Sequence, residues 1–599
     1  MHNLSHGVRK KMPDKTSKPS TFSDSTPRAD LPVTRRSFLG KATAATVLAG
    51  LSNAVVAGAE TKAPSRAAGR QDTFLDLLRV PDGVTAYSRL QEPLQLQRSG
   101  SEWHGHGVSV ESKAAREELA IAVATPAAEL KFLHLRWRMP VAKNLLALGD
   151  HWERSYGDLV WRNLIPERVM PWYFATNDGE ACHAYGVKTG GGALCFWQLD
   201  PQGVSLWLNT ANGGSGVRLG QRTLAAATVV ARRGSAGEEP TSALHEFCRQ
   251  MCSEPALPVE PVYGTNDWYY AYGKNTAQQI LKDTEFIAGL SESNAVRPFS
   301  VIDMGWADGS KGYGSMSRLA DDIRSRKTRP GIWIRPLEAM EGTDAALLLP
   351  AARFGARKER AKELAYDPTI PEAEERVLAK VKQVVDWGYE LVKHDFSTYD
   401  LLGQWGFEMG AEPTVSGWSL HDRSRTNAEV ILDLYKRIRE TGGQKTLILG
   451  CNTIGHLAQG RFDIQRTGDD TSGRIWERTR RMGINTLAFR LPQHGAFFVQ
   501  DADCVGISAA IPWELNRQWL DLLARTGTAL FISPGEGART PEHARAIAEA
   551  FRLSARGGEG ASPVDWREES TPEEWAAPGN GGKRTYDWCS PAGAYPFSV

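Results

Sequence analysis

The sequence predicts two joined folds, an antiparallel β-sandwich followed by a (β/α)8 TIM barrel, so the fold class is mixed all-β and α/β. At 599 residues the chain exceeds what a single hydrophobic core supports. From about residue 73 to residue 255, short alternating runs such as Leu130–Trp137 are broken by Gly, Asn, Asp and Pro, which is typical of antiparallel sandwiches. From about residue 262, apolar runs alternate with amphipathic helical segments, which is the pattern of βα repeats.

Changes in composition divide the chain into five predicted segments. They are a signal peptide (1–59), a polar linker (60–72), the β-sandwich (73–255), the barrel (256–553) and a C-terminal tail or small β appendage (554–599). Pro255–Pro261 marks the junction between the sandwich and the barrel. After residue 553 the chain becomes rich in Gly, Pro and Glu before it ends in aromatic pieces around Trp575 and Trp588.

Eight runs in the second region are predicted to be barrel strands, each ending in polar or aromatic residues. They are Val262–Asp267, Phe299–Trp306, Gly331–Arg335, Glu390–Asp395, Thr446–Cys451, Asp463–Asp469, Ala496–Asp503 and Ala529–Ser533. Helical segments such as Glu374–Trp387 and Arg425–Thr441 lie between them. In a TIM barrel the reactive side chains come from the C-terminal ends of the strands, so these ends are where a site is expected.

The N-terminus reads as a targeting segment. Arg35 and Arg36 are followed by Ser-Phe-Leu and by a weakly apolar run, Ala42–Ala57, and Ala57-Gly58-Ala59 fits a small-x-small cleavage site. The segment resembles a twin-arginine export signal, and the alternative is an ordinary basic secretory n-region. The expected location is therefore the periplasm or the exterior, without membrane insertion after the signal is removed.

Composition excludes several classes of partner. Lys plus Arg (71) nearly balances Asp plus Glu (70), so no large basic field would attract nucleic acid or anionic lipid. The seven cysteines are scattered without a C-x-x-C pair, which indicates neither a disulfide framework nor a zinc site. No cofactor and no metal are predicted, and the sequence leaves homo-oligomerisation open.

Two acidic clusters at predicted strand ends carry the chemistry. The apolar run Tyr389–Val392 ends in Lys393-His394-Asp395, and Asp469 and Asp470 follow a strand two places later. A pair of carboxyl groups on separate strand ends is the minimum needed to cleave a glycosidic bond. An oligosaccharide or other glycoside is therefore the expected partner.

The order of motifs along the strand ends resembles the retaining α-galactosidase clan, glycoside hydrolase families 27 and 36 (melibiase-like). The counterparts are Asp303-Met304-Gly305-Trp306, Lys393-His394-Asp395-Phe396, Cys451 with Arg461-Phe462-Asp463, and Gly468-Asp469-Asp470-Thr471. The seventh end, Asp501-Ala502-Asp503, is closer to family 27. The resemblance covers about residues 73–535.

This resemblance implies roles for individual residues. Asp395 would be the nucleophile, and Lys393, on the same face of its strand, would keep it ionised and bind a ring hydroxyl. Asp469 would be the acid/base if the Ser-Asp-x-Thr pattern is followed, whereas counting Arg-x-x-x-Asp from Arg466 favours Asp470. The implied substrate-binding residues are Trp268, Asp303, Trp306, Arg335, Lys393, Cys451, Arg461, Asp470 and Asp503.

Two departures put the sugar in question. Met304 stands where the galactosidases have a second Asp that grips O4 and O6, and Asn452–His456 replaces a compact glycine-rich loop. The expected activity is hydrolysis of terminal α-galactosides or of a related pyranoside, such as an arabinopyranoside, by double displacement. The alternatives are a transglycosylase of the same clan and a non-catalytic carbohydrate-binding protein. The polar, aromatic stretch 149–158 is expected either to lean over the barrel mouth or to form a surface hairpin.

Overall fold

The computed structural model describes residues 72–307, 311–579 and 582–595. The predicted signal peptide (1–59) and all but the last residue of the predicted linker (60–72) lie outside these residues. Within the described ranges, no helix has the length and apolar character needed to cross a bilayer.

The first described region is built from antiparallel strands. They are β1 (Gly83–Tyr87), β2 (Pro93–Gln95), β3 (Gln97–Ser99), β4 (Glu102–Gly105), β5 (Val108–Ala114), β6 (Glu118–Ala124), β7 (Phe132–Arg138), β8 (Leu146–Gly149), β9 (Met170–Pro171), β10 (Tyr173–Asn177), β11 (Cys182–Val187), β12 (Leu194–Asp200), β13 (Gly203–Asn209) and β14 (Thr223–Arg232). One sheet has the order β2-β1-β7-β13-β12-β9, and the other has the order β3-β4-β5-β6-β14-β11-β10-β8.

Aromatic side chains fill the space between these two sheets. Phe174 of one sheet lies 5.5 Å, ring to ring, from Trp197 of the other, and Trp197 in turn lies 6.3 Å from Trp137. Burial alternates along β6, where every second residue is buried, because successive side chains of a strand point to opposite faces. This region therefore has the layered arrangement that the alternating sequence pattern predicts.

The second region is a curled parallel sheet. Its strands are β15 (Tyr263–Asn266), β16 (Phe299–Ile302), β17 (Arg329–Ile334), β18 (Leu391–His394), β19 (Leu447–Gly450), β20 (Ile464–Arg466), β21 (Val499–Asp501), β22 (Val505–Ile507) and β23 (Leu530–Pro534), in the order β21-β20-β19-β18-β17-β16-β15-β23-β22. The edge strand β21 also bridges to the start of β23 through Asp501 and Ala529. Because β23 pairs with β15 as well, the sheet curves back on itself.

Helices connect the strands of this sheet. They are α1 (Pro240–Met251), which precedes it, then α2 (Trp268–Ala271), α3 (Ala277–Leu290), α4 (Met316–Ser325), α5 (Pro371–Asp386), α6 (Ser397–Leu402), α7 (Asn427–Gly442), α8 (Gly455–Ala458), α9 (Trp476–Thr479), α10 (Thr486–Arg490), α11 (Trp513–Thr526) and α12 (Pro541–Ser554). Helix α7 begins at a capping box, since Thr426 accepts from the Glu429 N–H and Glu429 bonds back to Thr426. Its buried face includes Val430 and Leu434, as the predicted amphipathic pattern requires.

Each of the eight predicted strand positions holds a strand, but most are shorter than predicted. The polar residues at the end of each predicted run lie beyond the hydrogen-bonded strand. For example, β16 ends at Ile302 rather than at Trp306. The predicted seventh strand, Ala496–Asp503, holds only β21, and a further strand that was not predicted, β22, follows directly after it. The break falls at Asp503, which has a left-handed backbone (φ 71°) and donates its N–H to Asp501.

Three short antiparallel strands follow the last helix. They are β24 (Ser562–Pro563), β25 (Glu574–Ala576) and β26 (Lys583–Thr585). Trp575 and Trp588 are both fully buried there, and each donates its indole N–H to the carbonyl of Pro572. The aromatic residues at the end of the sequence pack into the main hydrophobic core, where Trp476 also donates its indole N–H to the Trp588 carbonyl (2.7 Å).

Candidate active site

A cavity of about 240 Å³ lies at the C-terminal ends of the parallel strands. It is lined by Arg154, Trp268, Asp303, Met304, Trp333, Lys393, Asp395, Phe396, Trp405, Phe407, Asn452, Asp469 and Asp470. The structure thus brings together six of the predicted site residues: Trp268, Asp303, Lys393, Asp395, Asp469 and Asp470. The volume lies just below the range of about 300–1,000 Å³ typical of drug-sized sites, which suits a small polar ligand.

Asp395 lines this cavity, and several hydrogen bonds hold its carboxylate. It follows the last residue of β18, and its Oδ1 accepts from the backbone N–H groups of Phe396 (2.7 Å) and Asn452 (3.1 Å). Its Oδ2 accepts from the indole N–H of Trp333 (2.9 Å). Phe396 adopts a left-handed backbone (φ 68°), an uncommon conformation for a bulky residue, in which its N–H bonds the preceding carboxylate. These three donors fix the orientation of the Asp395 carboxylate.

Lys393 and Asp303 form a buried ion pair beside Asp395. The Lys393 Nζ lies 2.7 Å from Asp303 Oδ2, which also accepts from Asn266 (2.7 Å), while Asp303 Oδ1 accepts from the Met304 N–H (2.7 Å). Burial alone would lower the pKa of Lys393, but the charge of Asp303 outweighs it and the pKa lies well above its usual range. A charged ammonium and a carboxylate therefore stand together in the cavity wall.

A second buried carboxyl group, that of Asp267, is hydrogen-bonded to the backbone of Asp303. Asp267 accepts from the Asp303 N–H (2.9 Å) and from the Asn275 amide (2.8 Å). Burial, assisted by the negative charge of Asp303, raises the pKa of Asp267 to about 8. Asp267 does not line the cavity, so it positions the strand end rather than contacting a ligand.

Asp469 and Asp470 are held differently although they are adjacent. Asp469 is clamped at both oxygens, with Oδ1 3.1 Å from Arg154 and Oδ2 2.8 Å from Arg478. Within the part of the chain that the structure describes, the ion pairs of Asp470 are made by Oδ1, which lies 3.2 Å from Arg466 and 3.5 Å from Arg154. The Asp470 side chain is 37% exposed and that of Asp469 is 18% exposed. Asp470 therefore presents the freer carboxyl group to the cavity.

The cations around Asp470 set its protonation. Burial alone would raise the pKa of this carboxyl group, but Arg466, Arg154 and Lys393 outweigh it and lower the pKa. Arg466 is itself buried and also pairs with Asp503 at 2.9 Å. The cluster therefore keeps Asp470 charged in the absence of a ligand.

The stretch 149–158 closes one side of the cavity. The Ser155 N–H donates to the Thr467 carbonyl (3.0 Å), and the Asp469 N–H donates to the Ser155 carbonyl (2.9 Å). This pairing brings Arg154 into the cavity wall. The amide of Asn452, oriented to satisfy its neighbours, accepts from Arg154 (3.0 Å). Of the two arrangements that the sequence allows for this stretch, the structure has the one at the barrel mouth.

Two of the predicted site residues lie behind the cavity wall. Trp306 donates its indole N–H to the Trp333 carbonyl (2.8 Å) and packs edge-on against Trp387. Arg335 pairs with Asp400 (2.5 Å), and its guanidinium lies 4.6 Å from the centre of the Phe396 ring. These two side chains support lining residues instead of lining the cavity themselves.

Three further predicted residues are also outside the wall. Cys451 is buried and accepts from Arg466 (3.3 Å), and Asp503 accepts from that arginine and from the Thr471 N–H (2.8 Å). Arg461 is exposed and precedes β20, so it lies at the opposite end of that strand from the cavity. The buried guanidinium of this strand comes from Arg466 at its C-terminal end.

Sequence reasoning missed several lining residues. Trp333 is two residues before the predicted Arg335, in the same strand end, and Arg154 lies inside the stretch already singled out for its polarity. Trp405 and Phe407 come from the segment after α6, where no strand pattern marks a functional position. Only the folded chain brings that segment to the cavity.

The part of the chain that the structure describes contains no cluster of side chains arranged as metal ligands. No group of three His, Cys, Asp or Glu side chains there is placed to hold a metal ion. All seven cysteines are free, and six of them are buried.

Solved α-galactosidases share this fold. No protein-family model matches the sequence, and no curated protein matches it. The α-galactosidase TtGalA of Thermus thermophilus, solved with p-nitrophenyl α-D-galactopyranoside, is 16% identical with a TM-score of 0.54 over 84% of this chain and 99% of its own. A variant of the family 36 α-galactosidase AgaA of Geobacillus stearothermophilus, solved with raffinose, is 11% identical with a TM-score of 0.57 over 83% of this chain and 79% of its own. AgaB of the same organism is 11% identical, with a TM-score of 0.53 over 79% of this chain and 75% of its own.

Proposed function

We propose that the protein is an exported retaining α-glycosidase whose active site lies on a (β/α)8 barrel joined to a β-sandwich. The observation that carries the proposal is that Asp395 and the Asp469–Asp470 pair line one cavity from strands two places apart. Retaining glycosidases use two carboxyl groups about 5–5.5 Å apart, one as nucleophile and one as acid/base. The fold likeness to α-galactosidases solved with α-galactosides supports the same class of substrate.

Asp395 is the nucleophile in this proposal. One of its oxygens forms an ester with the anomeric carbon while the bond from that carbon to the leaving oxygen breaks. Its three hydrogen-bond donors hold the carboxylate before the sugar arrives, which reduces the reorganisation needed during attack. Lys393 donates to a ring hydroxyl and Asp303 accepts from one, so the pair orients the sugar over Asp395.

Asp470 is the acid/base residue that the contacts favour, although the Ser-Asp-x-Thr pattern pointed first to Asp469. Both oxygens of Asp469 are held by arginines, whereas Asp470 is more exposed and, among the described residues, has no ion pair at Oδ2. Because the surrounding cations keep Asp470 ionised in most of the free enzyme, the reactive fraction is the one in which Asp470 has taken up a proton from solvent, and it gives that proton to the leaving oxygen. The resulting carboxylate then takes a proton from water, which attacks the ester and releases the sugar with its configuration retained.

The end of the cavity farthest from the acid/base residues indicates the sugar. Trp268, Asp303 and Met304 follow strands β15 and β16 at this end of the cavity. The edge of the sugar ring that lies here therefore meets one carboxylate, that of Asp303, beside the Trp268 indole and the Met304 thioether. A pentopyranoside, or a hexoside without a free 6-hydroxyl group, asks for fewer hydrogen-bond acceptors at that edge than a galactoside does. We therefore propose a β-L-arabinopyranoside, which is an α-D-galactopyranoside without its C6 group, beside the galactoside itself.

The test of this function follows the configuration of the first product. Aryl α-D-galactopyranoside and β-L-arabinopyranoside are incubated with the protein and with Asp395→Asn, and the anomer released first is read by NMR. The parent is expected to release the retained anomer, and the variant is expected to lose at least about 10³-fold in kcat. An added alcohol acceptor separates hydrolysis from transfer. Release of the inverted anomer, or cleavage of neither substrate, would overturn the proposal.

Export is proposed on the sequence alone. The pair Arg35 and Arg36 before a mild apolar run supports passage of the folded enzyme by the twin-arginine route to the periplasm or beyond. A fusion of residues 1–59 to a folded reporter is expected to be exported. Replacing both arginines by lysine is expected to abolish that export, and a double variant that is exported as before would contradict the assignment.

A further inference from the structure

Phe407 is an exposed aromatic side chain at the mouth of the cavity. It lines the cavity while 60% of its surface remains accessible. Its ring meets Tyr156 edge-on at 5.2 Å, and no other ring packs against it among the described residues. A large apolar side chain left open beside a ligand cavity offers surface for an apolar part of the ligand.

The segment that carries Phe407 is held rigidly. Glu408 accepts from the Trp405 N–H (3.1 Å) and pairs with Arg357 (2.5 Å). The Gly406 N–H donates to Glu153 (2.8 Å), and a Cβ at Gly406 would come within 2.5 Å of the Glu153 side chain. The aromatic ring is therefore presented on a fixed rim, which lowers the entropic cost of binding against it.

The rim offers few polar groups to a ligand. Glu408 is engaged by Arg357 and by a backbone N–H, and Glu153 is engaged by Tyr156, by Gly406 and by the Asn452 amide. A second sugar would need hydroxyl partners along this side. Phe396 and Trp405, which both line the cavity with ring centres 5.3 Å apart, add aromatic surface to the cavity wall.

The position of Phe407 matches the path of the leaving group. Tyr156, which it contacts, belongs to the stretch that pairs through Ser155 with the backbone of Asp469. The acid/base residue must reach the leaving oxygen, so the leaving group lies on this side of the cavity. The sugar ring lies towards Asp303 and Met304, on the strands at the other side.

We infer that Phe407, with Trp405 and Phe396, forms a subsite for an apolar, ring-bearing aglycone such as an aryl or alicyclic alcohol. This inference rests on the proposed glycosidase function and names the class of substrate that the site would take. The ring of the aglycone packs on Phe407 while its oxygen faces the acid/base residue.

The experiment compares two leaving alcohols of similar acidity on the same sugar. The 2-phenylethyl and methyl glycosides of the sugar that the parent cleaves are assayed with the parent, Phe407→Ala, Phe407→Trp and Met340→Ala. Met340 is a matched control because it is also exposed but does not line the cavity. The phenylethyl-to-methyl ratio of kcat/KM is expected to fall about 2- to 12-fold in Phe407→Ala, mainly through KM. The ratio is expected to stay at the parent value in Phe407→Trp and Met340→Ala.

A disaccharide of the same sugar provides the opposing result. If Phe407→Ala weakens cleavage of the disaccharide but not of the phenylethyl glycoside, the subsite binds a sugar and the inference is overturned. An unchanged phenylethyl-to-methyl ratio with cleavage intact overturns the aglycone subsite alone. A parent that cleaves no glycoside overturns the proposed function, and the subsite with it.

Discussion

The two adjacent carboxyl groups of the site allow a decisive comparison of Asp470→Asn with Asp469→Asn. Both changes remove one negative charge and keep the size of the side chain. They differ in what they leave behind, because Asp469 holds two arginines and Asp470 carries the freer oxygen. If Asp470 is the acid/base residue, the rate of Asp470→Asn depends strongly on the pKa of the leaving alcohol, whereas the rate of Asp469→Asn does not.

The size of each effect follows from the contacts. General acid catalysis contributes about 10²–10⁴-fold, so Asp470→Asn is expected to lower kcat/KM by that factor for a methyl glycoside. A dinitrophenyl glycoside needs little protonation, so its kcat/KM is expected to change less than about 10-fold. Asp469→Asn leaves the buried Arg154 with fewer partners and is expected to cost both substrates a similar factor.

The assay measures initial rates for the methyl and dinitrophenyl glycosides with and without azide. With the dinitrophenyl glycoside, whose first step needs little acid assistance, the ester on Asp395 accumulates in Asp470→Asn because no base activates water, and azide is expected to restore kcat by attacking the ester directly. Asp469→Asn is expected to show no azide rescue. Circular dichroism melts of both variants check that the fold persists.

The opposite pattern would refute the assignment. Azide rescue and leaving-group dependence in Asp469→Asn, together with their absence in Asp470→Asn, would transfer the acid/base role to Asp469. A similar loss for both substrates in both variants would mean that neither residue donates the proton, and the double-displacement chemistry would need another partner for Asp395.

Three more outcomes are expected. Because the arginines lower the pKa of Asp470 to about 2, its protonated fraction, and with it kcat/KM for the methyl glycoside, should already fall above about pH 3 and keep falling to about pH 7. The kcat/KM of the dinitrophenyl glycoside should not follow this fall, and parallel profiles would contradict the assignment. Met304→Asp should raise kcat/KM for the galactoside relative to the arabinopyranoside by about 10-fold, by adding an acceptor at the far edge, and an unchanged ratio would place that edge elsewhere. The pKa of Asp267 is about 8 in the folded state and about 4 in the unfolded chain, so the parent loses stability as pH rises between these values. Asn does not titrate, so the melting temperature of Asp267→Asn relative to the parent should increase from about pH 5 to about pH 8. A difference that does not change with pH would contradict the raised pKa.

Much of the barrel region was predictable because its strands are continuous apolar runs. The strand Phe299–Ile302, which is apolar apart from Ser300, is buried along its whole length, as expected of parallel strands covered on both faces. The polar residues that follow such runs therefore marked the strand ends, and residues of both acidic clusters line one cavity. The exact ends of the strands could not be predicted, because tertiary contacts at the C-terminal end of the sheet determine the residue at which each strand stops.

The remaining site residues depend on tertiary contacts that no local pattern encodes. Arg461 and Arg466 are only five residues apart, yet one precedes β20 and the other ends it, so the strand separates them to opposite ends. Arg154 reaches the cavity because Ser155 pairs with the segment after β20, across more than 300 residues of sequence. Phe407 reaches it because Glu153 and Arg357 anchor its neighbours.

The nucleophile can be identified directly by covalent labelling. A cyclitol epoxide or aziridine that mimics the sugar is incubated with the protein, and the modified peptide is sequenced by mass spectrometry. Attack by the carboxylate that Trp333, Phe396 and Asn452 orient would leave the label on Asp395 and abolish turnover in proportion to labelling. A label on a different carboxyl group, or full labelling with activity retained, would contradict the assignment of Asp395 and with it the double-displacement mechanism.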